Sequence, residues 1–219
     1  MKKEIVIKNS DQRIPINKIV CVGRNYVEHI YELGNEVPEK PVVFLKPNSA
    51  VIYSGDEIVY PDYSNEMHHE VELLLLIGKT IKNASLTEAE EAIIGYGLGL
   101  DMTLRDVQDE LKKKGHPWEK SKCFDTSAVI SEFILKKDYQ LTLEEELSLK
   151  VNDEIRQKDK LQKMIFKPAQ IVEYLSSILT LEHGDIIFTG TPQGVSKVNK
   201  GDKLHAELDG LLTIDCIVK

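Results

Sequence analysis

Glu70 and Glu72 stand two residues apart at the head of the run Leu73-Leu74-Leu75-Leu76-Ile77. An unbroken aliphatic run of this length reads as a buried strand. Side chains of a strand alternate between its faces, so the two carboxylates share one. Side by side at the mouth of an apolar strand they repel each other, and when partly buried they need a cation to compensate them. Mg²⁺, Mn²⁺ and Ca²⁺ are hard ions that prefer such oxygens. A solvated pair flanking a core strand is the plainer alternative. Asp101, in Gly99-Leu100-Asp101-Met102-Thr103, is a third acid in apolar company. It either caps a strand end or is paired, because an unpaired acid there is costly. With Glu70 and Glu72 it makes three carboxylates for one octahedral ion, leaving positions for water and substrate.

Three further groups carry chemistry. In Gly23-Arg24-Asn25-Tyr26-Val27-Glu28-His29-Ile30-Tyr31-Glu32-Leu33-Gly34, a helix over residues 26–33 places His29 and Glu32 at i and i+3 on one face. A carboxylate beside a histidine raises its pKa and fixes its orientation, which suits a general base; an exposed helical pair has the same spacing. Arg24 either grips a substrate carboxylate or braces a loop. In Trp118-Glu119-Lys120-Ser121-Lys122-Cys123-Phe124-Asp125, two lysines compete for any inward position, and a surface lysine is the commoner outcome. Thr189-Gly190-Thr191-Pro192-Gln193-Gly194 allows backbone amides and the Thr191 hydroxyl to wrap a carboxylate. It lacks the Gly-Lys-Ser/Thr ending of a phosphate-binding loop, so it is not a nucleotide site.

The elements that must position these groups are mostly strands. Short ones are expected at residues 5–7, 19–22, 42–45 and 58–60, and the central one at 70–77. A helix over 87–93 takes Thr87 as its cap with Glu90 completing a capping box. The strand 96–103 follows, with glycines at 95, 97 and 99 leaving one face bare. A helix over 105–114 ends at Gly115. Asn152-Asp153 and Asp209-Gly210 sit between strand pairs as hairpin turns. Pro168 opens the strongest helical pattern, with apolar residues at 171, 172, 175, 178 and 179. Strand 186–189 leads into the glycine-rich loop. Many strands with few, separated helices predict a mainly antiparallel assembly with helices outside.

The chain has 219 residues, 42% hydrophobic and 29% charged, with a net charge of −8. It is long enough to bury roughly 70% of its unfolded surface. No basic run marks a nucleic-acid partner, and no apolar stretch approaches the roughly 18 residues of a membrane span. The first eight residues lack an apolar signal-peptide core and read as a strand. Cys21, Cys123 and Cys216 are odd in number and widely spaced, which predicts free thiols in a reducing, cytoplasmic setting. No repeat or low-complexity linker divides the chain.

In order along the chain, Gly23-Arg24-Asn25-Tyr26…His29…Glu32, Phe44-Leu45-Lys46-Pro47, His69-Glu70-Val71-Glu72-Leu73 and Asp101-Met102-Thr103-Leu104-Arg105-Asp106-Val107-Gln108 resemble the fumarylacetoacetate hydrolase family. Trp118…Lys122…Phe124-Asp125, Val151-Asn152…Arg156-Gln157, Gly184-Asp185-Ile186-Ile187…Thr189-Gly190-Thr191-Pro192 and Gly201-Asp202 continue the pattern. The joint pattern spans residues 17–219 and is most similar to the small acylpyruvase and oxaloacetate decarboxylase branch. The resemblance implies a mainly β fold with peripheral helices, class α+β, as a mixed β-sandwich roll of the family's C-terminal domain type. Residues 17–219 are then a single catalytic domain, preceded by an N-terminal strand segment over 1–16. It also implies a homodimer; that no nucleic acid or membrane is a partner rests on the charge and hydropathy above.

By the same resemblance Glu70, Glu72 and Asp101 hold Mg²⁺ or Mn²⁺. His29 and Glu32 sit on a lid helix, with His29, Glu32 and Lys122 catalytic; Lys122, and not Lys120, falls on the family's active-site lysine. Arg105, Gln108 and Thr191 fall on substrate-contacting positions, and Arg24 is grouped with them as a candidate substrate-binding residue. The implied activity is cleavage of a carbon–carbon bond in a small 2-oxo acid through a metal-stabilised pyruvate enolate, by acylpyruvate hydrolysis or oxaloacetate decarboxylation. Isomerisation of 2-hydroxyhepta-2,4-diene-1,7-dioate is the alternative within the family, and a non-catalytic metal-binding protein the alternative outside it. Two departures stand out: Ser127-Ala128-Val129-Ile130 replaces a common Gly-Pro, and Ser196 replaces a usual glycine. Both are expected in loops near the site.

Overall fold

The computed structural model describes residues 3–219 apart from 33 and 35. Its centre is the strand Val71–Ile77, buried along its whole length. It is the fourth of seven strands, in the order Val42–Lys46, Ile19–Gly23, Ile186–Phe188, Val71–Ile77, Ile93–Asp101, Ala128–Leu135 and Val51–Tyr53. All neighbours are antiparallel except Ile186–Phe188 with Ile19–Gly23 and Ala128–Leu135 with Val51–Tyr53. A second sheet runs Glu154–Lys160, Glu146–Val151, Lys203–Leu208, Leu212–Val218 and Glu57–Ile58. The mainly β class with peripheral helices is what the structure shows.

Alternation on the central strand divides the core. Val71, Leu73, Leu75 and Ile77 face a large cluster that includes Leu147, Leu149, Leu204, Ala206 and Ile214 of the second sheet. Leu74 and Leu76 face the other way, into Phe133, Phe188, Ile130 and the Ile5, Ile7 and Ile14 side chains of the N-terminal hairpin. That hairpin pairs Glu4–Val6 with Arg13–Pro15. The helices Leu86–Ala92 and Pro168–Ile178 lie outside, burying Ala89, Ala92, Ile171, Val172 and Leu175 against the large cluster. No helix of the described residues is long and apolar enough to cross a membrane.

Both hairpin turns form as expected. Asn152 and Asp153 (φ 50° and 68°) and Asp209 and Gly210 (φ 45° and 71°) take the left-handed conformations that a tight turn with native strand twist requires; Val151 pairs with Glu154, while Leu208 pairs with Leu212 and leaves Leu211 as an extra residue. The glycine face of Ile93–Asp101 is filled by the Phe133, Phe188 and Leu74 side chains and, at Gly95, by the Ile134 carbonyl. A Cβ on Gly97 would lie 2.7 Å from the Phe133 ring, and one on Gly99 2.8 Å from both Leu74 and Phe188. Gly97→Ala should therefore cost about 1–3 kcal/mol by overpacking. A urea midpoint equal to that of the parent protein would refute this.

Several expectations need correction. The helix expected over 87–93 begins at Leu86, capped by Ser85 and not Thr87, with Glu88 completing the box. Ser85-x-x-Glu88 and Thr87-x-x-Glu90 are overlapping copies of one signal, and the earlier one is used. Ile93 already belongs to the following strand, which ends at Asp101, while Thr103–Leu104 pairs separately with Met67–His68. Ala128–Ile130 is not loop but the start of a strand, with Ala128 opposite Asp101. The helix expected over residues 26–33 is Val27–Glu32, and Leu33 lies outside the described residues.

Candidate active site

Antiparallel register brings the three acids together. Val71 pairs with Leu100 and Glu72 with Gly99, and the Asp101 amide donates to the Glu70 carbonyl at 2.8 Å. Glu70 thus stands opposite Asp101, on the same face as Glu72. Gly99 beside Glu72 presents no side chain there. All three carboxylates are buried, and a ligand oxygen from each lies within 4.8 Å of the others.

Cations surround this cluster unevenly. Lys122 follows the short turn Glu119–Ser121 and places its Nζ 2.7 Å from Glu70 and 2.6 Å from Asp101. Arg105, the first residue of helix Arg105–Lys113, pairs with Glu70. Lys46, at the end of Val42–Lys46, lies 2.8 Å from Asp101 Oδ1 and donates to the Ser127 carbonyl and hydroxyl, each at 3.0 Å. Glu72 has no such partner among the described residues; its Oε2 accepts from the Gly190 amide at 2.7 Å. Burial, then Asp101 and Glu70, push the Glu72 carboxyl well above its ordinary range. Burial also opposes ionisation of Glu70, but Lys122 and Arg105 outweigh it and hold that carboxyl well below the usual range.

These residues fit a divalent ion. The donor set is all carboxylate, the choice of Mg²⁺ and Mn²⁺. An ammonium, that of Lys122, already stands between two of the acids where a positive charge is required. The third acid, Glu72, is the one left without a cation.

A cleft of about 190 Å³ opens over the cluster. It is smaller than the roughly 300–1,000 Å³ of sites for drug-sized ligands and so suits a small metabolite. Arg24, His29, Glu70, Glu72, Asp101, Arg105, Gln108, Lys122 and Thr191 all line it. Glu32 does not, but it holds His29 from behind. Its carboxylate accepts from His29 Nδ1 at 3.1 Å and from the Gly194 amide at 3.1 and 3.2 Å. Burial lowers the His29 pKa, against the opposing effects of Glu70 and of the Glu32 hydrogen bond. That direction favours the neutral ring, and with Nδ1–H given to Glu32 its Nε2 has no hydrogen-bond partner among the described residues. Lys120, the other lysine of its segment, is exposed and lies over the Tyr63 ring at 4.8 Å.

The loop after Ile186–Phe188 is fixed by Asn25. Its side chain donates to the Thr189 and Phe166 carbonyls at 2.7 and 3.0 Å and accepts from the Phe166 amide at 2.7 Å. Reasoning from the sequence assigned no role to Lys46, Lys112, His69 or Gln157. Lys46 had a signal: alternation in Val42-Val43-Phe44-Leu45-Lys46 puts it on the inward face with Phe44. Lys112 lines the cleft and donates to Gln108 Oε1 at 2.9 Å, beside Arg105 Nη1 at 2.8 Å. Both acceptor positions of Gln108 are so used, leaving its Nε2 hydrogens as donors. His69 is buried between Gln157 and Ser196, and burial pulls its pKa down to about 4. Ser196 does lie in a loop, as expected.

A model of the family described as fumarylacetoacetate (FAA) hydrolase, C-terminal, matches residues 18–219. The oxaloacetate tautomerase YcgM of Escherichia coli is 45% identical over 200 residues, 90% of each chain. The mitochondrial oxaloacetate tautomerase of Bos taurus is 45% identical over 196 residues, covering 90% of this chain and 89% of its own. Among solved structures, fumarylpyruvate hydrolase from Pseudomonas aeruginosa, in complex with Mn²⁺ and pyruvate, superposes with a TM-score of 0.95 at 37% identity, covering 99% of this chain and 95% of its own.

Proposed function

This chain belongs to the fumarylacetoacetate hydrolase family, and from that premise we propose that it is a metal-dependent enzyme of small 2-oxo acids that moves a proton at the carbon next to the 2-oxo group. Oxaloacetate is the first substrate to test, since relatives at 45% identity are named oxaloacetate tautomerases. The carrying observation is one cleft that joins a compact cluster of three carboxylates to a buried histidine held through Nδ1 by Glu32.

Glu70, Glu72 and Asp101 would hold Mg²⁺ or Mn²⁺. Bound there, the ion supplies Lewis-acid polarisation of a carbonyl. Arg24, Arg105, the Gln108 amide hydrogens and the Thr191 hydroxyl line the cleft as donors for the anionic oxygens of the substrate. His29 Nε2 takes the proton from C3, and the released electron pair moves onto the 2-oxo oxygen. Return of that proton to the oxygen gives the enol, and the reverse path gives the ketone. Glu32 stabilises the transient imidazolium and fixes the ring. Lys122 places a buried positive charge where negative charge develops.

A second reading is carbon–carbon bond cleavage, favoured by the close superposition on fumarylpyruvate hydrolase. There His29 would deprotonate a water that attacks the distal carbonyl; the bond to C3 breaks, the acyl group leaves as a carboxylic acid, and the pyruvate enolate takes the proton from the His29 imidazolium at C3. Decarboxylation of oxaloacetate needs no such water. The test is a panel of enol-oxaloacetate, ketonic oxaloacetate and acetylpyruvate with Mg²⁺ or Mn²⁺. Ketonisation is followed by loss of enol absorbance, and cleavage by pyruvate formed. Metal-dependent turnover of at least one substrate, lost with a chelator, is the expected result. No turnover of any would leave a metal-binding protein without catalysis.

A further inference from the structure

Below the cleft, a line of four polar side chains ends at Thr191. Gln157 is fully buried, and backbone groups decide which way its amide points. The Val71 amide donates to Oε1 at 3.1 Å, and Nε2 donates to the Pro192 carbonyl at 2.8 Å. A backbone N–H can only donate and a carbonyl can only accept, so the two ends of this amide are not interchangeable. The second Nε2 hydrogen goes to Thr191 Oγ1 at 2.8 Å. Gln157 donates, Thr191 accepts, and the hydroxyl hydrogen of Thr191 is left for another acceptor. On the far side, Oε1 accepts from His69 Nδ1 at 2.9 Å, and His69 Nε2 accepts from the Ser196 hydroxyl at 3.0 Å. The Thr191 loop also packs closely on this support. Gly194 packs so closely on the strand carrying Gln157 that a Cβ would lie 2.0 Å from the Arg156 carbonyl oxygen.

We propose that Gln157 is a positioning residue for substrate: its hydrogen bond fixes the Thr191 hydroxyl as a donor to a carboxylate oxygen in the cleft, and His69 and Ser196 hold Gln157 in that orientation. The inference rests on the reading of the cleft as a 2-oxo acid site. Three of Gln157's four bonds join parts of the fold, and only the one to Thr191 reaches a residue lining the cleft. The backbone bonds that brace Gln157 already set its polarity, and the consequence at the cleft is a Thr191 hydroxyl hydrogen left to meet a ligand carboxylate, which can only accept.

The test is oxalate binding to the Mn²⁺-loaded protein by titration calorimetry, with the Mn²⁺ affinity of each variant measured separately. A hydrogen bond to a charged acceptor predicts that Thr191→Val weakens oxalate by about 10- to 100-fold, and that Thr191→Ser recovers most of it. Gln157→Met should weaken oxalate comparably, and in the Thr191→Val background it should add little. Ser196→Ala perturbs only the outer end and keeps the measurement possible if Gln157→Met does not fold. It should weaken oxalate by about two- to tenfold, again only when Thr191 is present. If either substitution weakens oxalate equally with Val at 191, or if Thr191→Val binds oxalate like the parent protein, the positioning role is wrong. Metal-dependent turnover of oxaloacetate alongside that result would leave the reading of the cleft intact. If the parent protein neither binds oxalate nor turns over any 2-oxo acid, both fall together.

Discussion

Asp101→Ala and Glu72→Gln should each abolish metal-dependent turnover while moving the stability of the metal-free protein in different directions. Lewis-acid stabilisation is worth several kcal/mol, so activity should fall by about 10³-fold or more in both. Asp101 is paired with Lys122 and Lys46 in the interior. Removing it takes a carboxylate from two buried ammonium groups, leaving Lys122 with Glu70 alone and Lys46 with only neutral acceptors, a loss of about 3–5 kcal/mol. Glu72 has no cation of its own, and two other carboxylates raise its pKa after burial has done so. Glutamine keeps an acceptor for the Gly190 amide and removes that repulsion, so metal-free Glu72→Gln should be as stable as the parent or more so. The sign of the pH dependence follows. Folded, Glu72 holds its proton more tightly than in the unfolded chain. The metal-free parent therefore loses stability as pH rises above the ordinary value of 4.5, and the glutamine variant lacks that slope. Mn²⁺ at 100 times its Kd should stabilise the parent by about 2.7 kcal/mol. For a chain of this size that is roughly 5–11 °C in Tm. An equal rise in either variant would mean that the ion is held elsewhere.

The acids were legible as separate signals, because each sits in an apolar stretch where a charge is costly. Their grouping was expected, and the structure brings them together; the geometry that does so was not legible. That Glu70 faces Asp101 depends on the register between Val71–Ile77 and Ile93–Asp101, which hydrogen bonding sets and neither stretch encodes alone. Local features read best: Asp209-Gly210 and Asn152-Asp153 specify their turns within two residues. The strand Ala128–Leu135 was hidden by Ser131-Glu132 in the middle of its apolar run. The pairing register shifts there between Ile130 and Phe133, and the Ser131 hydroxyl accepts from the Leu98 amide at 2.9 Å. The polar pair marks an irregularity of the strand and not its end. Gln157 was illegible for a related reason. Its strand, Glu154–Lys160, is exposed along most of its length, and a buried glutamine among lysines and acids has no hydropathy signal. Lys46 looks like the polar stop of an apolar strand until Asp101, on another strand of the sheet, is placed beside it.

His29→Ala should separate reactions that a shared metal would otherwise keep together. Ketonisation of enol-oxaloacetate and hydrolysis of an acylpyruvate both need a proton moved by a base, and decarboxylation of oxaloacetate does not. General-base catalysis is worth about 10²–10⁴-fold, or roughly 3–5 kcal/mol of barrier. The first two activities should fall by that factor and the third much less. Because burial lowers the His29 pKa, the base form persists below the ordinary histidine value of 6.5, and the acid limb of kcat/KM should lie under that pH. Glu32→Ala removes a partner that raises the His29 pKa. It should move the acid limb to still lower pH, weaken the base, and reduce the same two activities by less than His29→Ala does. It also frees the Gly194 amide, so a change in KM should accompany it. The informative quantity is the ratio of kcat/KM for acylpyruvate hydrolysis to that for oxaloacetate decarboxylation in each variant. A ratio that stays at the parent value in His29→Ala, with both rates reduced alike, would show that His29 helps to bind substrate and that the proton is carried by another group.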